Sequence, residues 1–237
     1  MSHSPFTINH HLEQMAQAIF KSWFVDFEPF GGEQPSNWAI GKAEEFFDIA
    51  IGKTPPRKEP EWFTTNPQDV IWVSISDMGS CGMFISDSSE YLTAESIERF
   101  NVKVVPSGTV LVSFKLTVGR VSIADGEMAT NEAIAHFKQS NGVTLEYLYC
   151  YLKAFDYQSL GNTSSIATAV NSKTIKAMPF VMPDEKAIGD FHAATAPLFE
   201  QVRVNLAENA HLAALRDALL PKLMSGELSV ADLGTAK

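Results

Sequence analysis

The chain has 237 residues, of which 45% are hydrophobic and 19% are charged. This length allows one large domain or two modest ones, and the composition is that of a globular protein rather than a disordered chain. The net charge of −10 excludes a protein that holds DNA through a general basic surface, because both residues 36–183 and the flanking segments are acidic.

The first predicted element is an amphipathic helix over residues 9–23. Its apolar residues are Leu12, Met15, Ile19 and Trp23, and spacings of three and four residues indicate one helical face. Pro29 and the glycines that follow it end this pattern. We therefore expect a short N-terminal helix whose apolar side needs a partner.

The middle of the chain, residues 36–183, is predicted to be mixed and rich in strands. Short β-branched runs bounded by turn residues indicate strands, and these runs cover 70–75, 108–114 and 119–124, with weaker candidates at 133–137 and 177–182. Residues 145–155 have helical periodicity instead. Trp38, Trp62, Phe63 and Trp72 are expected in the core.

The last predicted element is a long, leucine-rich helical stretch over residues 184–223. Its apolar seam consists of Leu198, Val202, Leu206, Leu212, Leu215, Leu219 and Leu223. Because an interior proline kinks or splits a helix, Pro197 predicts a short helix, a kink and then a longer helix. Pro221 and Gly226 are expected to end it.

The two terminal helices resemble each other. Residues 9–20 align with 209–220 at a constant offset of 200 residues, with Asn, His, Leu and Ala recurring at equivalent positions. Chance similarity between amphipathic helices is one explanation. The other is a repeated helix that flanks one globular insert, as in half of a two-repeat protein.

Several segments occur in an order that is more specific than any one of them. They are LEQMAQAIFKSWFVDF at 12–27, GKTPP at 52–56, IWVSISD at 71–77, PSGTVLVSF at 106–114 with Gly119 after it, NEA at 131–133, GNTSS at 161–165 and LLPKLMSGEL at 219–228. Together they resemble one half of the specificity (S) subunit of type I restriction–modification systems, over essentially the whole chain.

The resemblance implies an architecture. S subunits of this family carry two target-recognition domains, each reading half of a bipartite DNA sequence, separated by two long antiparallel helices that dock the methyltransferase (M) subunits. This chain has one such domain. We therefore expect an α+β fold with an N-terminal helix segment (1–35), a target-recognition domain (36–183) and a long C-terminal helix with its tail (184–237), the two helices forming an antiparallel coiled-coil-like spacer.

The resemblance also implies partners and a compartment. Double-stranded DNA and M subunits are the expected partners, with restriction (R) subunits engaged indirectly. No cofactor is expected in this chain, because S-adenosylmethionine is expected on the M subunit. The two cysteines without Cys-x-x-Cys spacing favour a reducing cytoplasm, no apolar run predicts a membrane span, and no metal site is predicted from the six histidines.

Candidate DNA-binding residues are polar or basic side chains in predicted loops. The densest basic segment, 53–58, is kept extended by its prolines, and a solvated loop is the alternative reading. Arg can read guanine and Lys can hold phosphate. The complete candidate set is Lys53, Thr54, Arg57, Lys58, Ser76, Lys115, Thr117, Arg120, Asn131, Thr163, Ser164, Asn171 and Lys173.

Several of these candidates have a structural alternative. Lys115 and Arg120 bracket a predicted strand connection and could equally be a surface charge pair. The tract that includes Thr163, Ser164, Asn171 and Lys173 could serve in helix capping. Asn131 is expected to make a turn bond near the DNA.

The helical seams predict an interface. Leu12, Met15, Ile19 and Trp23 need cover, which the C-terminal helix of the same chain or of a second copy can supply. Asn205 and Asn209 lie near the seam, where a buried Asn fixes register. The predicted interface set is Leu12, Met15, Ile19, Trp23, Leu198, Val202, Leu206, Leu212, Leu215 and Leu219.

The leading functional hypothesis is a non-catalytic DNA-recognition subunit, a half S subunit that directs M and R subunits to a bipartite target as a homodimer. An enzyme fused to a recognition domain is disfavoured, because no catalytic motif occurs and no length is left for one. The remaining alternative is an inert or decoy S fragment that binds M subunits without reading DNA.

Overall fold

The computed structural model describes residues 5–139, 142–161 and 170–227, so the candidates Thr163 and Ser164 lie outside the described residues. The helices in these ranges are α1 (Pro5–Phe24), α2 (Ala43–Phe46), α3 (Ile75–Ser80), α4 (Ala94–Phe100), α5 (Leu145–Ala154), α6 (Ser172–Lys176) and α7 (Glu185–Met224). The expected α+β fold, with an N-terminal helix and a longer C-terminal helix around a strand-rich middle, is confirmed.

The strands of the described residues form sheets of five, four and two strands. The strands are β1 (Ala39–Lys42), β2 (Ile49–Ile51), β3 (Phe63–Thr64), β4 (Val70–Val73), β5 (Phe84–Ile85), β6 (Tyr91–Leu92), β7 (Val110–Ser113), β8 (Val121–Ala124), β9 (Ala129–Thr130), β10 (Ile134–Phe137) and β11 (Pro179–Met182). The sheet orders are β2-β10-β7-β8-β5, β3-β6-β4-β9 and β1-β11. Strands β7, β8 and β10 are buried throughout, which explains why their sequences are nearly continuous apolar runs.

One predicted strand is shorter than its apolar run. The run at 70–75 forms strand β4 only to Val73, because Ser74 is the N-cap of helix α3, which begins at Ile75. The Ser74 side chain accepts a hydrogen bond from the Asp77 backbone N–H, and the Asp77 carboxylate accepts one from the Ser74 N–H. This capping box satisfies N–H groups at the start of the helix.

Helices α1 and α7 pack antiparallel within one chain. The Asn205 side-chain amide donates to the Asn9 amide oxygen at 2.7 Å near one end, and the rings of Trp23 and Phe191 lie 6.0 Å apart near the other. The ring of Phe24 packs edge to face against Phe191 of α7 and Tyr147 of α5. The hairpin alternative for the N-terminal seam is therefore the arrangement observed within the chain.

The most buried face of α1 is offset from the predicted seam. Ala16, Phe20 and Phe24 are the buried side chains, whereas Met15 is 52% exposed. Leu12, Ile19 and Trp23 are partly buried at the edges of the same contact. Each of the seam residues Met15, Ile19 and Trp23 directly precedes one of these buried residues, so a spacing of three and four residues fits both faces and does not distinguish them.

Helix α7 is continuous from Glu185 to Met224, so the prediction that Pro197 divides this stretch into a short and a longer helix is wrong. Both Pro197 and Pro221 lie inside the helix, and Pro221 does not end it. Val202 is buried and Leu198 and Leu206 are partly buried, but every residue from 214 to 227 is exposed. The C-terminal end of α7 therefore projects beyond the rest of the described residues.

Polar contacts fix both terminal helices on the strand-rich middle. The Glu13 carboxylate of α1 accepts a hydrogen bond from the Tyr149 hydroxyl at 2.7 Å and pairs with Lys153 at 3.0 Å. On α7, Arg203 pairs with Asp125 at 3.0 Å. These contacts hold the helices and the sheets in one orientation.

Candidate nucleic-acid interface

The loop after β2 begins at a position where only glycine fits, because any larger side chain would collide with a neighbouring segment. A Cβ on Gly52 would lie 2.1 Å from both the Thr130 hydroxyl and the Asn131 carbonyl oxygen. The Gly52 N–H donates to the Ile134 carbonyl at 3.0 Å, and the next N–H, of Lys53, donates to the Thr130 carbonyl at 2.8 Å. This close approach sets the basic loop directly on the 130–134 segment.

A buried histidine lies beneath this contact. His136 is fully buried on β10, and its Nε2 shares a 2.7 Å hydrogen bond with the Thr130 hydroxyl. Burial, with a smaller contribution from Lys138, lowers the pKa of His136 to about 4. The neutral imidazole thus supports the segment on which the basic loop rests.

Arg57 is held in place by an acidic partner and two aromatic rings. Its guanidinium forms two hydrogen bonds to the Glu90 carboxylate at 2.7 and 2.8 Å and lies 4.0 Å above the Phe63 ring and 4.6 Å from the Trp72 ring. The hydrogen bonds to Glu90 raise the pKa of Arg57. The side chain is half exposed, and its remaining N–H groups are available to a ligand.

Glu132 joins the basic loop to the strand connection after β7. The Thr54 hydroxyl donates to the Glu132 carboxylate. Partial burial alone would raise the pKa of Glu132, but the Thr54 hydrogen bond and the nearby Lys115 and Arg57 cations lower it below its ordinary value. Three predicted residues, Thr54, Arg57 and Lys115, therefore lie around one carboxylate, and we name these three with Glu132 the Glu132 cluster. The Lys53 ammonium lies apart from them and donates to the Phe100 carbonyl.

Lys115 and Thr117 lie in the connection between β7 and β8. The Phe114 N–H donates to the Ala133 carbonyl at 2.9 Å, and this contact brings the next residue, Lys115, close to Glu132. The Thr117 carbonyl accepts a hydrogen bond from the Ser113 hydroxyl at 2.5 Å, so the backbone of Thr117 has a structural role and its side chain is exposed.

Arg120 and Ser76 lie around helix α3. The Arg120 guanidinium donates to the Ile75 carbonyl at 2.5 Å, and a Cβ on Gly79 would come within 2.3 Å of it. Arg120 therefore connects the β7–β8 connection to α3. Ser76 is exposed in the first turn of the same helix.

The other candidates have local structural contacts. The Asn131 side-chain oxygen accepts a hydrogen bond from the Ala133 N–H at 3.0 Å, which is the expected turn bond. Asn171 caps α6 by accepting from the N–H groups of Lys173 and Thr174 at 2.9 and 3.1 Å. Lys58 and Lys173 are exposed.

Sequence reasoning missed Glu90 and Glu132. Glu132 stands in the NEA motif beside a candidate, which was a weak signal. Glu90 lies 33 positions from Arg57, and no local pattern pairs them. In the described part of the chain, no group of three or more His, Cys, Asp or Glu side chains could hold a metal ion, and no helix has the length and hydropathy of a membrane span.

Comparisons with known proteins give one consistent family. Residues 35–191 match the family described as "Type I restriction modification DNA specificity domain". The chain is 25% identical to the type I restriction enzyme HindI specificity subunit of Haemophilus influenzae, covering 93% of this chain and 62% of that one. It is also 25% identical to the MjaIX specificity subunit of Methanocaldococcus jannaschii, covering 95% and 55%.

A solved structure shares the fold. The HsdS subunit from Thermoanaerobacter tengcongensis superposes with a TM-score of 0.57 at 19% identity, over 94% of this chain and 53% of that one. The chain spans little more than half the length of the relatives it matches.

Proposed function

Since the chain belongs to the family of type I restriction–modification DNA specificity subunits, we propose that it reads one half of a bipartite DNA target and directs M and R subunits to that target. Specificity subunits are recognition components and not catalytic ones. The observation that carries the proposal is the Glu132 cluster, in which cations and hydrogen-bonding groups from two separate loops converge on one surface within the matched domain.

The cluster has the chemistry that base reading requires. Arg57 retains unpaired N–H donors suited to guanine, and an ionised carboxylate such as Glu132 can accept a hydrogen bond from a base amino group. Lys115 supplies positive charge for phosphates. The two rings beneath Arg57 limit its motion, so little conformational freedom is lost when it binds.

A second copy of the chain is the partner we propose for the projecting end of α7. Leu212, Leu215, Leu219 and Leu223 recur at helical spacing and are all exposed, so they form an apolar row without cover in the described chain. Closed two-fold association would cover both rows at once. Two domains related by that axis would read a palindromic bipartite target.

We expect the free chain to bind DNA weakly and with strong salt sensitivity, because its net charge is −10. In complex with M subunits, which would contribute positive charge, we expect the chain to bind DNA much more tightly. Electrophoretic mobility shifts with and without M subunits, across a salt series, measure the DNA affinity of the free chain and of the complex. Tight sequence-specific binding by the free chain at physiological salt contradicts this expectation.

Methylome sequencing of cells that express the chain with its M subunits tests the proposed function. The expected result is one methylated bipartite motif that disappears when the chain is omitted. An M-bound chain that produces no motif and no sequence preference in mobility shifts would replace this proposal with the decoy function. A non-palindromic motif would contradict the symmetric dimer but not DNA reading.

Replacing Arg57 or Lys58 by Ala should weaken target binding by about 1 kcal/mol or more each, provided that each side chain contacts DNA. Loss of Arg57 should also relax the sequence preference, since it can read a base, whereas loss of Lys58 should weaken binding to all sequences alike. Binding isotherms on matched and mismatched duplexes measure the difference. Lys186→Ala, on the exposed first turn of α7, is the charge-matched control.

A further inference from the structure

The connection between β7 and β8 carries an apolar side chain at its tip. Leu116 is 94% exposed, and its backbone has φ of +60°, a left-handed conformation that is uncommon outside glycine and asparagine. Single exposed leucines are common, but an exposed leucine in a conformation that favours glycine costs stability and gains no packing against the described residues.

The tip stands on a rigid base. The Ser113 hydroxyl donates to the Thr117 carbonyl at 2.5 Å and accepts from the Arg120 N–H at 3.0 Å, and the Gly119 N–H donates to the Ser113 carbonyl at 2.9 Å. Phe114 is buried at the start of the turn. Leu116 is therefore presented outward by a turn that is hydrogen-bonded across its base.

The surroundings of Leu116 fit a nucleic acid better than a protein partner. Lys115 precedes it and lies close enough to Glu132 to affect that carboxyl, so the tip adjoins the Glu132 cluster. The neighbouring exposed apolar side chain is Val118, and the two side chains of Leu116 and Val118 are far smaller than the apolar centre of a stable protein interface.

We propose that Leu116 is a wedge that enters a groove of the target duplex and partly unstacks one base step. The inference rests on the proposed DNA-reading function and adds a residue that reads deformability rather than base edges. Apolar wedges of this kind separate base steps and bend the duplex, and flexible pyrimidine–purine steps are the easiest to open. The hydrogen-bonded base of the turn supplies the stiffness that unstacking requires, and Lys115 is positioned for a flanking phosphate.

The test uses the complex of the full chain with its M subunits and the duplex found by methylome sequencing. 2-Aminopurine, placed at one position at a time, fluoresces more strongly when it is unstacked. Leu116→Gly removes the wedge and accepts the positive φ, so this variant should fold. We expect one position within the recognised half-site to lose its signal in Leu116→Gly, with affinity about tenfold lower, and Leu116→Met to restore both.

Each contrary result has a distinct meaning. The base that the M subunits extrude for methylation provides an internal control, and its retained signal in Leu116→Gly shows that the complex still docks. Identical fluorescence profiles and affinities in the wild type and Leu116→Gly overturn the wedge while leaving DNA reading intact. Weaker M-subunit binding without DNA would reassign Leu116 to a protein contact. Absence of any sequence preference in the wild type instead overturns the proposed function.

Discussion

The double substitution Leu215→Asp and Leu219→Asp should convert a dimer of this chain into a monomer, weakening self-association by about a hundredfold or more. Both side chains are 43% exposed in the single chain, so they become desolvated only when a second copy covers them. Burying unpaired carboxylates between helices is strongly unfavourable. Analytical ultracentrifugation over a concentration series measures the change.

The single chain itself should tolerate the double substitution, because surface changes usually alter the unfolding free energy by less than about 0.5 kcal/mol. A matched control is Ala210→Asp with Ala214→Asp, which adds the same charge to exposed positions on the opposite side of the same helix. Control dimers that persist while the leucine variant dissociates support the interface. A wild-type chain that sediments as a monomer at high concentration, or a leucine variant that still dimerises, contradicts it.

Acid should destabilise the protein through His136, by about 3 kcal/mol between pH 7.5 and 4. The pKa of this histidine falls from the ordinary 6.5 to about 4 on folding. Between those values the unfolded chain binds a proton that the folded chain excludes, so the free energy of unfolding decreases as the pH is lowered through this window. Well above pH 6.5 the histidine is neutral in both the folded and the unfolded chain, so its proton no longer lowers the free energy of unfolding.

The variant His136→Gln isolates this effect, because Gln can keep a polar group near Thr130 but does not titrate. Urea unfolding at a series of pH values should give a flatter dependence for His136→Gln than for the wild type. The exposed His211→Gln serves as the control and should reproduce the wild-type slope. Carboxyl groups with lowered pKa, such as Glu132, destabilise all three proteins at lower pH. Parallel slopes for the wild type and His136→Gln contradict the prediction.

The elements of the fold were largely predictable because their signals are local. Helical spacing identified α1 and α7, and β-branched runs identified β4, β7, β8 and β10 within two residues of their bounds. The burial of Trp38, Trp62 and Trp72 was also predictable. The continuity of α7 through Pro197 was not, because burial of Phe191 before the proline and of Phe199 and Val202 after it outweighs the loss of one backbone hydrogen bond.

The candidate site was predictable only in part. Basic and polar residue types identified Thr54, Arg57 and Lys115, but their convergence on Glu132 depends on contacts between segments as much as 78 positions apart. The same residue types selected Lys53, whose ammonium donates to the Phe100 carbonyl instead. The same residue types also selected Arg120 and Asn131, whose described contacts are structural. Residue type alone does not distinguish a side chain that contacts a ligand from one that stabilises a loop.

The sequence by itself determined the family, the two terminal helices and the apolar row along α7, because periodicity and ordered motifs are properties of the chain. The tertiary structure alone decided which leucines of that row are covered. At 1.5 Å per residue, the 20 residues of α1 span about 30 Å and the 40 residues of α7 about 60 Å. Since α1 pairs with α7 up to Asn205, the leucines of the row from Leu212 onward remain exposed for a further partner.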